Sequence, residues 1–392
     1  MADALAWVDG QVAPLAEETV QPAEAAGRVL ARQVTSSIDV PAFDRAMMDG
    51  FAVRAADTLG ASPYNRLPLA VIGESMPGRP FAAEVRPGQA VRIMTGAALA
   101  AGADAVLPAE FVEIEVDRIL ALADVSPGKH VGRIGEDIAA GATVLAAGRV
   151  LRPQDAGVLA SVGLAEVPVV RRPRVRIVIT GDELLPAGSA PHPNKVFDSN
   201  GPMLAALVTR DGGLPVNTGI VPDTPETILD AMRSDADVVL VSGGSSVGKE
   251  DHAPRLLARH GELAIHGIAM RPSSPAGMGR LDERPVFLLP GNPVSCLCAY
   301  DFFAGRAVRL LGGRGADWTY RRARFPLERK IASAVGRLDY VRVRVAEGRL
   351  SPLAVAGASI LSSTTRADGF VLVPPDSEGY PPDAEVEVFL YD

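Results

Sequence analysis

The stretch Asp237-Val-Val-Leu-Val-Ser-Gly-Gly-Ser-Ser-Val-Gly-Lys-Glu-Asp251 joins a short apolar run to a loop of glycine and serine. The apolar run predicts a buried strand, and the residues after it favour neither strand nor helix. The glycines let the backbone turn sharply and approach a ligand, and the serines add hydroxyl groups, which suits a phosphate or another oxyanion. The residues concerned are Ser242, Gly243, Gly244, Ser246 and Gly248. An ordinary tight turn is the alternative, because the loop matches neither the Walker pattern nor the dinucleotide fingerprint.

A second loop of the same kind follows further along the chain, in Val286-Phe-Leu-Leu-Pro-Gly-Asn-Pro-Val-Ser295. Its apolar strand is broken by Pro290, Gly291 and Pro293 before a long apolar segment begins. Open α/β sheets bind ligands at the carboxyl ends of their strands. We therefore expect the two loops to line one crevice.

Strands and helices alternate in the sequence from 173 to 315. Strands are predicted at 175–179, 214–220, 237–241, 264–270 and 286–289, and helices at 200–210, 225–233, 252–260 and 294–311. This order predicts a doubly wound sheet with helices on both faces. Polar residues follow several of these strands, namely Thr180, Glu183 and Asp223, and Asp198-Ser-Asn200 leads into a helix. Such polar clusters at successive strand ends are typical of a ligand crevice.

The flanking segments have other patterns. An Ala-rich stretch predicts two short helices at 15–20 and 22–30, and Pro153 opens a further helix at 152–163. Alternating apolar residues at 67–124 predict a small β-rich domain, and four apolar runs after 317 predict a C-terminal β domain.

Length and composition restrict the class of protein. A chain of 392 residues should form about two to four domains. Hydrophobic residues make up 47% and charged residues 22%, as in soluble globular proteins. The sequence has neither a leader pattern nor a charge-free apolar run of membrane-spanning length, so we expect a cytoplasmic protein without membrane contact. The formal net charge of −8 argues against nucleic-acid binding but allows a local basic pocket for a small anion.

The chain has two cysteines, Cys296 and Cys298, both within the predicted apolar helix. Residues two apart on a helix point to different faces, so their spacing favours core packing over a zinc site or a disulfide.

Both glycine-containing loops resemble those of the molybdopterin molybdenumtransferase family, which includes MoeA and the gephyrin E domain. Val40-Pro-Ala-Phe-Asp-Arg-Ala-Met-Met-Asp-Gly-Phe-Ala-Val-Arg54 is similar to that family's FD-SAMDG segment. Further similar segments lie at 92–97, 103–110 and 135–138. The resemblance implies that Asp49, Thr95, Glu110 and Asp137 belong to the site. On spacing alone, Asp49 and Gly50 equally suit an Asp-Gly turn that opens a strand.

The resemblance implies a multi-domain α/β fold. The expected parts are an elongated N-terminal domain (1–42 plus 140–172), an inserted β-rich domain (43–139), a central doubly wound molybdopterin-binding domain (173–315) and a small C-terminal β-barrel (316–392).

The implied reaction inserts molybdate into the dithiolene of adenylylated molybdopterin and releases AMP and the molybdenum cofactor, with Mg²⁺. Catalytic roles fall to Asp49, Asp137, Glu183, Asp223 and Asp251. The last three are the expected metal ligands, because Mg²⁺ prefers oxygen. The implied substrate-binding residues are Thr95, Glu110, Thr180, Asp198, Ser242, Gly243, Gly244, Ser246, Gly248, Arg271, Ser274, Pro290, Gly291, Asn292, Pro293 and Arg342.

The resemblance also implies a homodimer with the site between subunits. Contact with molybdopterin adenylyltransferase and with molybdoenzyme maturation proteins is a further expectation.

The chain departs from the family pattern at five places, which are one segment and four single residues. The family's KPGKP segment appears here as Arg271-Pro-Ser-Ser-Pro275, so that Ser274 replaces the second lysine. The other departures are Ala46, Gly132, Lys249 and Ala358. Most of them lose a polar or charged group. Two hypotheses follow: a working transferase with an altered pocket, or a non-catalytic paralogue that binds molybdopterin and acts as a carrier or as a partner of cofactor-inserting proteins.

Overall fold

The structure is a computed structural model that describes residues 1–243, 252–354 and 357–391. Contacts divide the chain into two compact units. The first contains Met1–Thr19, Gly27–Ala31 and Pro168–Asp392, and the second contains Val20–Ala26 and Arg32–Val167. The four domain boundaries given above stay a prediction.

Eight α-helices occur in the described residues. They are α1 (Ala2–Gln11), α2 (Pro153–Ser161), α3 (Asn200–Arg210), α4 (Pro225–Arg233), α5 (His252–His260), α6 (Pro293–Ala299), α7 (Gly305–Leu311) and α8 (Ser362–Thr365). A π-helical turn, Tyr300–Ala304, joins α6 to α7, so the long apolar helix predicted at 294–311 is confirmed.

The strands are short and numerous. They are β1 (Glu17–Val20), β2 (Val34–Thr35), β3 (Arg45–Ala46), β4 (Gly50–Val53), β5 (Leu67–Ser75), β6 (Gln89–Ile93), β7 (Ala105–Pro108), β8 (Val112–Ile114), β9 (Arg118–Ala121), β10 (Val131–Gly132), β11 (Thr143–Leu145), β12 (Val167–Val170), β13 (Arg174–Thr180), β14 (Leu184–Leu185), β15 (Val196–Phe197), β16 (Leu214–Val221), β17 (Val238–Ser242), β18 (Glu262–His266), β19 (Met270–Arg271), β20 (Gly277–Leu281), β21 (Arg284–Leu289), β22 (Arg321–Pro326), β23 (Ile331–Ala332), β24 (Leu338–Ala346), β25 (Arg349–Ala354), β26 (Gly369–Val373), β27 (Gly379–Tyr380) and β28 (Glu385–Leu390).

The central sheet of the first unit has the strand order β16-β13-β17-β21-β20-β18. Its first four strands are parallel, and β20 and β18 continue it antiparallel. Alternate residues of β17 face opposite sides: Leu240 packs in the core with α3 and α7, and Val239 in the core with α4 and α5. The α/β fold with helices on both faces is therefore confirmed, with an antiparallel edge that was not predicted.

The C-terminal strands form a separate sheet in the order β19-β24-β26-β28-β22, with β25 paired to β24. A bridge between Leu327 and Leu350 joins the end of β22 to β25, and the Glu328 amide donates to the Leu350 carbonyl at 2.8 Å. This bridge closes the strands into the small barrel expected from the sequence.

The second unit contains a six-stranded sheet with the order β7-β4-β6-β5-β9-β8. Successive residues of β4 alternate between two apolar clusters, with Phe51 in one and Ala52 in the other. The predicted β-rich segment is confirmed, and α2 confirms the helix opened by Pro153.

Two predictions near the N-terminus are wrong. The helix expected at 15–20 is replaced by strand β1 (Glu17–Val20), which pairs with β12, and the helix expected at 22–30 is reduced to a 3₁₀ turn, Pro22–Glu24. Pro22 interrupts helical hydrogen bonding between the two segments, and Gly27 takes a φ of +79° that ends any helix.

The single strand predicted at 264–270 is also wrong. It is two strands, β18 and β19, separated at Gly267, which has a φ of +86°. Across the described residues, no helix has the length and apolar character needed to cross a membrane.

Candidate active site

A cavity of about 600 Å³ lies at the carboxyl ends of the parallel strands in the first unit, and we call it the strand-end cavity. Its wall includes many of the predicted residues: Thr180, Glu183, Asp198, Ser242, Gly243, Pro290, Gly291, Asn292 and Pro293. Strands β13, β17 and β21 end side by side in a parallel sheet, which is why residues far apart in sequence meet here.

Gly243 directly follows strand β17, at a point where a larger residue does not fit. A Cβ atom there would lie 2.0 Å from the Thr180 carbonyl oxygen, and its φ is +104°. Thr180 ends the neighbouring strand, and its hydroxyl donates to the Asp223 carboxylate at 2.8 Å. Glycine is therefore required to bring the two strand ends together.

Asn200, at the start of α3, connects the two loops predicted to form the crevice. Its side-chain amide donates to Ser242 Oγ at 2.9 Å and to the Gly291 carbonyl oxygen at 2.8 Å. Ser242 is only 2% exposed, so its hydroxyl acts mainly within the protein. Asp198 was predicted to bind substrate, whereas Asn200, which belongs to the same polar cluster at the start of a helix, was not assigned that role.

The two cysteines are free and buried in α6, beneath this cavity, which confirms their expected packing. Cys296 Sγ lies 3.6 Å from Ser242 Oγ, and burial raises the pKa of the Cys296 thiol to about 12. The thiol is therefore protonated and unreactive at neutral pH.

A second cavity, of about 510 Å³, shares Pro275, Pro290 and Asn292 with the first. We call it the arginine cavity, because Arg271, Arg337 and Arg342 all contribute to its wall. Ser274 and Ala358 also contribute to it. Arg337 was not among the residues named from the sequence.

A buried carboxylate, Asp339, organises two of these arginines. Asp339 Oδ1 accepts a hydrogen bond from Arg337 Nε at 3.0 Å, and Oδ2 pairs with Arg271 and accepts from Ser333 Oγ at 2.9 Å. Arg271 and Asp339 are register partners in the parallel pair of β19 and β24. Strand pairing therefore fixes the position of Arg271.

Comparisons with known proteins identify the family. Family models match along the chain: the MoeA N-terminal region (domain I and II) at residues 1–163, a probable molybdopterin binding domain at 176–309 and the MoeA C-terminal region (domain IV) at 324–391. Molybdopterin molybdenumtransferase 2 of Mycobacterium tuberculosis is 39% identical over 304 residues, which are 75% of each chain. The chain belongs to the molybdopterin molybdenumtransferase family.

Other relatives agree over most of the chain. The molybdopterin molybdenumtransferase of Haemophilus influenzae is 35% identical over 84% of this chain and 81% of its own. The crystal structure of the molybdopterin biosynthesis moeA protein from Pyrococcus horikoshii superposes with a TM-score of 0.81 at 33% identity, covering 100% of this chain and 99% of that one.

One change in the KPGKP segment affects a position where the backbone has positive φ. Ser273 takes the place of the glycine, and its φ is +89°, a region that L side chains avoid at a cost of about 1–3 kcal/mol. Its Oγ donates to the Ser295 carbonyl oxygen, and the residue is buried. This hydrogen bond compensates in part for the backbone strain.

Four residues implied by the molybdenumtransferase resemblance lie in the second unit, and all four are exposed: Asp49, Thr95, Glu110 and Asp137. Two of them interact, since the Thr95 amide and hydroxyl both donate to Asp49 Oδ1 at 2.7 Å. The amide hydrogen bond and then the hydroxyl lower the pKa of Asp49. Asp49 is therefore ionised and held in one orientation.

The predicted magnesium ligands are only partly described. Glu183 lines the strand-end cavity and Asp223 is held by Thr180, whereas Asp251 lies outside the described residues together with Gly244, Ser246, Gly248 and Lys249. Among the residues that the structure does describe, no three His, Cys, Asp or Glu side chains gather as a metal-binding group. The metal site stays a prediction.

Proposed function

We propose that this chain inserts molybdate into adenylylated molybdopterin and releases AMP and the molybdenum cofactor. The observation that supports this reaction best is the pair of adjoining cavities with opposite charge. The strand-end cavity has carboxylates and backbone glycines in its wall, and the arginine cavity has guanidinium groups. One substrate is a large phosphate ester and the other a small oxyanion, so two dissimilar, connected cavities suit the reaction.

The strand-end cavity would hold the nucleotide-bearing pterin. Its backbone approaches closely at Gly243 and Gly291, which leaves room for a phosphate beside main-chain donors. Two of its side chains, Glu183 and Asp198, are carboxylates, which repel phosphate unless a cation lies between them.

Magnesium fits the donor set as far as it is described. Asp223 uses Oδ1 to accept from Thr180, and Glu183 is exposed in the cavity, so both have carboxylate oxygens of the kind that Mg²⁺ prefers. We propose these two residues with Asp251 as the ligands. The bound cation would neutralise phosphate charge as AMP departs.

The arginine cavity would hold molybdate. Its wall has three guanidinium groups, and the buried carboxylate Asp339 pairs with two of them, those of Arg271 and Arg337, so that the positive groups outnumber this carboxylate. Molybdate is a dianion, so its charge is complementary. Guanidinium groups also suit oxyanions because their N–H groups form paired hydrogen bonds.

We further propose that Asp49 and Asp137 move protons or orient substrate in a homodimer whose site is shared between subunits. Cytoplasmic location, and contact with molybdopterin adenylyltransferase and with molybdoenzyme maturation proteins, belong to the same proposal. Sedimentation of the purified chain tests the dimer, and a monomer at working concentration would refute a shared site.

Reconstitution tests the reaction. Purified protein is mixed with adenylylated molybdopterin, molybdate and Mg²⁺, and the product is assayed by activation of a cofactor-free molybdoenzyme. We expect active cofactor and one AMP per turnover, both dependent on molybdate. Binding of the pterin nucleotide without either product would leave only the carrier hypothesis, to which the relatives' names give no support.

A further inference from the structure

The neutral Ser274 leaves the arginine cavity one cation short of the KPGKP pattern, and the same cavity contains a further cation, Arg337, that was not predicted from the sequence. Arg337 lies in a different part of the chain, just before β24, and contributes to the wall of the arginine cavity. Its guanidinium group therefore faces the same space as Ser274.

The contacts of Arg337 leave part of its guanidinium group available. Nε donates to Asp339 Oδ1 at 3.0 Å, and the two terminal nitrogens have no hydrogen-bond partner within the described part of the chain. The side chain is 35% exposed, so these terminal N–H groups can be reached from the cavity. A guanidinium group fixed through Nε presents its remaining donors in one plane, as oxyanion binding requires.

Asp339 holds Arg337 and Arg271 next to each other, one on each carboxylate oxygen. Arg337 lies just before β24, two residues before Asp339, and its Nε reaches the Asp339 carboxylate from there. Arg271 reaches the same carboxylate from the paired strand β19. Two neighbouring cations repel each other, and a bound dianion relieves that repulsion.

We propose that Arg337 provides the second cation of the molybdate pocket, in place of the lysine whose position Ser274 occupies. This inference rests on the proposed function, because it names a residue for the oxyanion of that reaction. It predicts that the positive charge can be moved between positions 337 and 274 with molybdate affinity retained.

The test measures molybdate binding by equilibrium dialysis and the KM for molybdate at saturating adenylylated molybdopterin. Arg337→Gln should weaken both at least about tenfold, as expected for the loss of one charged hydrogen-bond donor. The double variant Arg337→Gln/Ser274→Lys should recover most of the loss. Arg344→Gln is the matched control, because Arg344 is an exposed arginine of β24 that lines neither cavity, and it should bind molybdate like the parent.

Arg337 also pairs with a buried carboxylate, so its loss could destabilise the fold. Arg337→Lys is therefore included, because lysine keeps the positive charge but lacks the planar set of N–H donors of a guanidinium group. It should fold like the parent, as judged by its thermal midpoint, and bind molybdate with intermediate affinity. The inference is overturned if Arg337→Gln, folded and able to bind adenylylated molybdopterin, keeps the parent's molybdate affinity, or if the double variant recovers nothing. Failure of the proposed function is a separate result, since the parent would then yield no active cofactor whatever position 337 contains.

Discussion

Two glycines that lie next to each other in the wall of the strand-end cavity should respond differently to the same substitution. Gly243 and Gly291 lie in the two loops, and the nearest atom to a Cβ built on Gly291 is the Cα of Gly243, at 3.7 Å. That is an ordinary van der Waals distance. A Cβ on Gly243 would instead lie 2.0 Å from the Thr180 carbonyl oxygen, where atoms cannot remain.

The expected costs follow from these distances. Gly243→Ala combines a φ of +104° with a steric clash, each of which costs about 1–3 kcal/mol, so the free energy of unfolding should fall by about 2–6 kcal/mol. Gly291→Ala has neither penalty and should change stability by less than about 0.5 kcal/mol, like other substitutions free of strain. The measurement is the urea midpoint and thermal midpoint of each purified variant.

Substrate binding by the two variants then distinguishes an effect on packing from an effect on ligand contact. Gly291→Ala should fold normally and still bind adenylylated molybdopterin more weakly, because the added methyl group occupies space in the cavity wall. Equal midpoints for the two variants would refute the steric argument at Gly243. A Gly291→Ala protein with the parent's KM for the nucleotide would refute close substrate approach at that loop.

Three other predictions concern charge, assembly and thiols. Ser274→Lys should tighten molybdate binding in equilibrium titration, and added salt should reduce the gain wherever the new charge is exposed. Asp49→Ala and Asp251→Ala proteins, each inactive, should regain partial activity after subunit exchange; proven heterodimers without activity would contradict a shared site. At pH 8 a thiol reagent should not modify Cys296 or Cys298 in the native protein, whereas it should modify both in the unfolded protein. Because the fold raises the pKa of Cys296 to about 12, stability should fall as pH rises above the unfolded thiol's value of about 8.5.

The central helices were predictable because their local signals agree with their tertiary environment. Helix α4 starts at Pro225, which suits a first helical position, after Thr224, whose side chain accepts from the Thr227 amide. Strand β17 consists of four apolar residues followed by Ser242 and is buried along its length. Local sequence and burial indicate the same element in both cases.

Strand β20 was missed because its turn lacks the usual signal. Asp282 and Glu283 form the two-residue connection to β21, with φ values of +48° and +64°. Such hairpin turns favour Asn-Gly or Asp-Gly, because both residues need positive φ. Here the paired strands impose the conformation on two residues that do not predict it.

Site residues could be predicted where they belong to a sequence motif. They could not be predicted where only a tertiary contact brings them into the site. The patterns of the two glycine-containing loops predict Gly243 and Gly291 directly. Arg337 becomes part of the arginine cavity only because β24 pairs with β19 and places Asp339 beside Arg271. No sequence pattern near Arg337 indicates that it lies close to the segment at 271–275. Their proximity is visible only in the structure.

The separation of charge between the two cavities depends on the wall they share. That wall contains Pro275, Pro290 and Asn292, none of which carries a charge. If the arginines could reach Glu183, ion pairs between the cavities would compete with both substrates. Instead Asp339 satisfies two arginines on their own side, and within the described residues Glu183 forms no ion pair. Because proline fixes φ, the wall resists the shift that would bring these opposite charges together, and each cavity keeps its own charge.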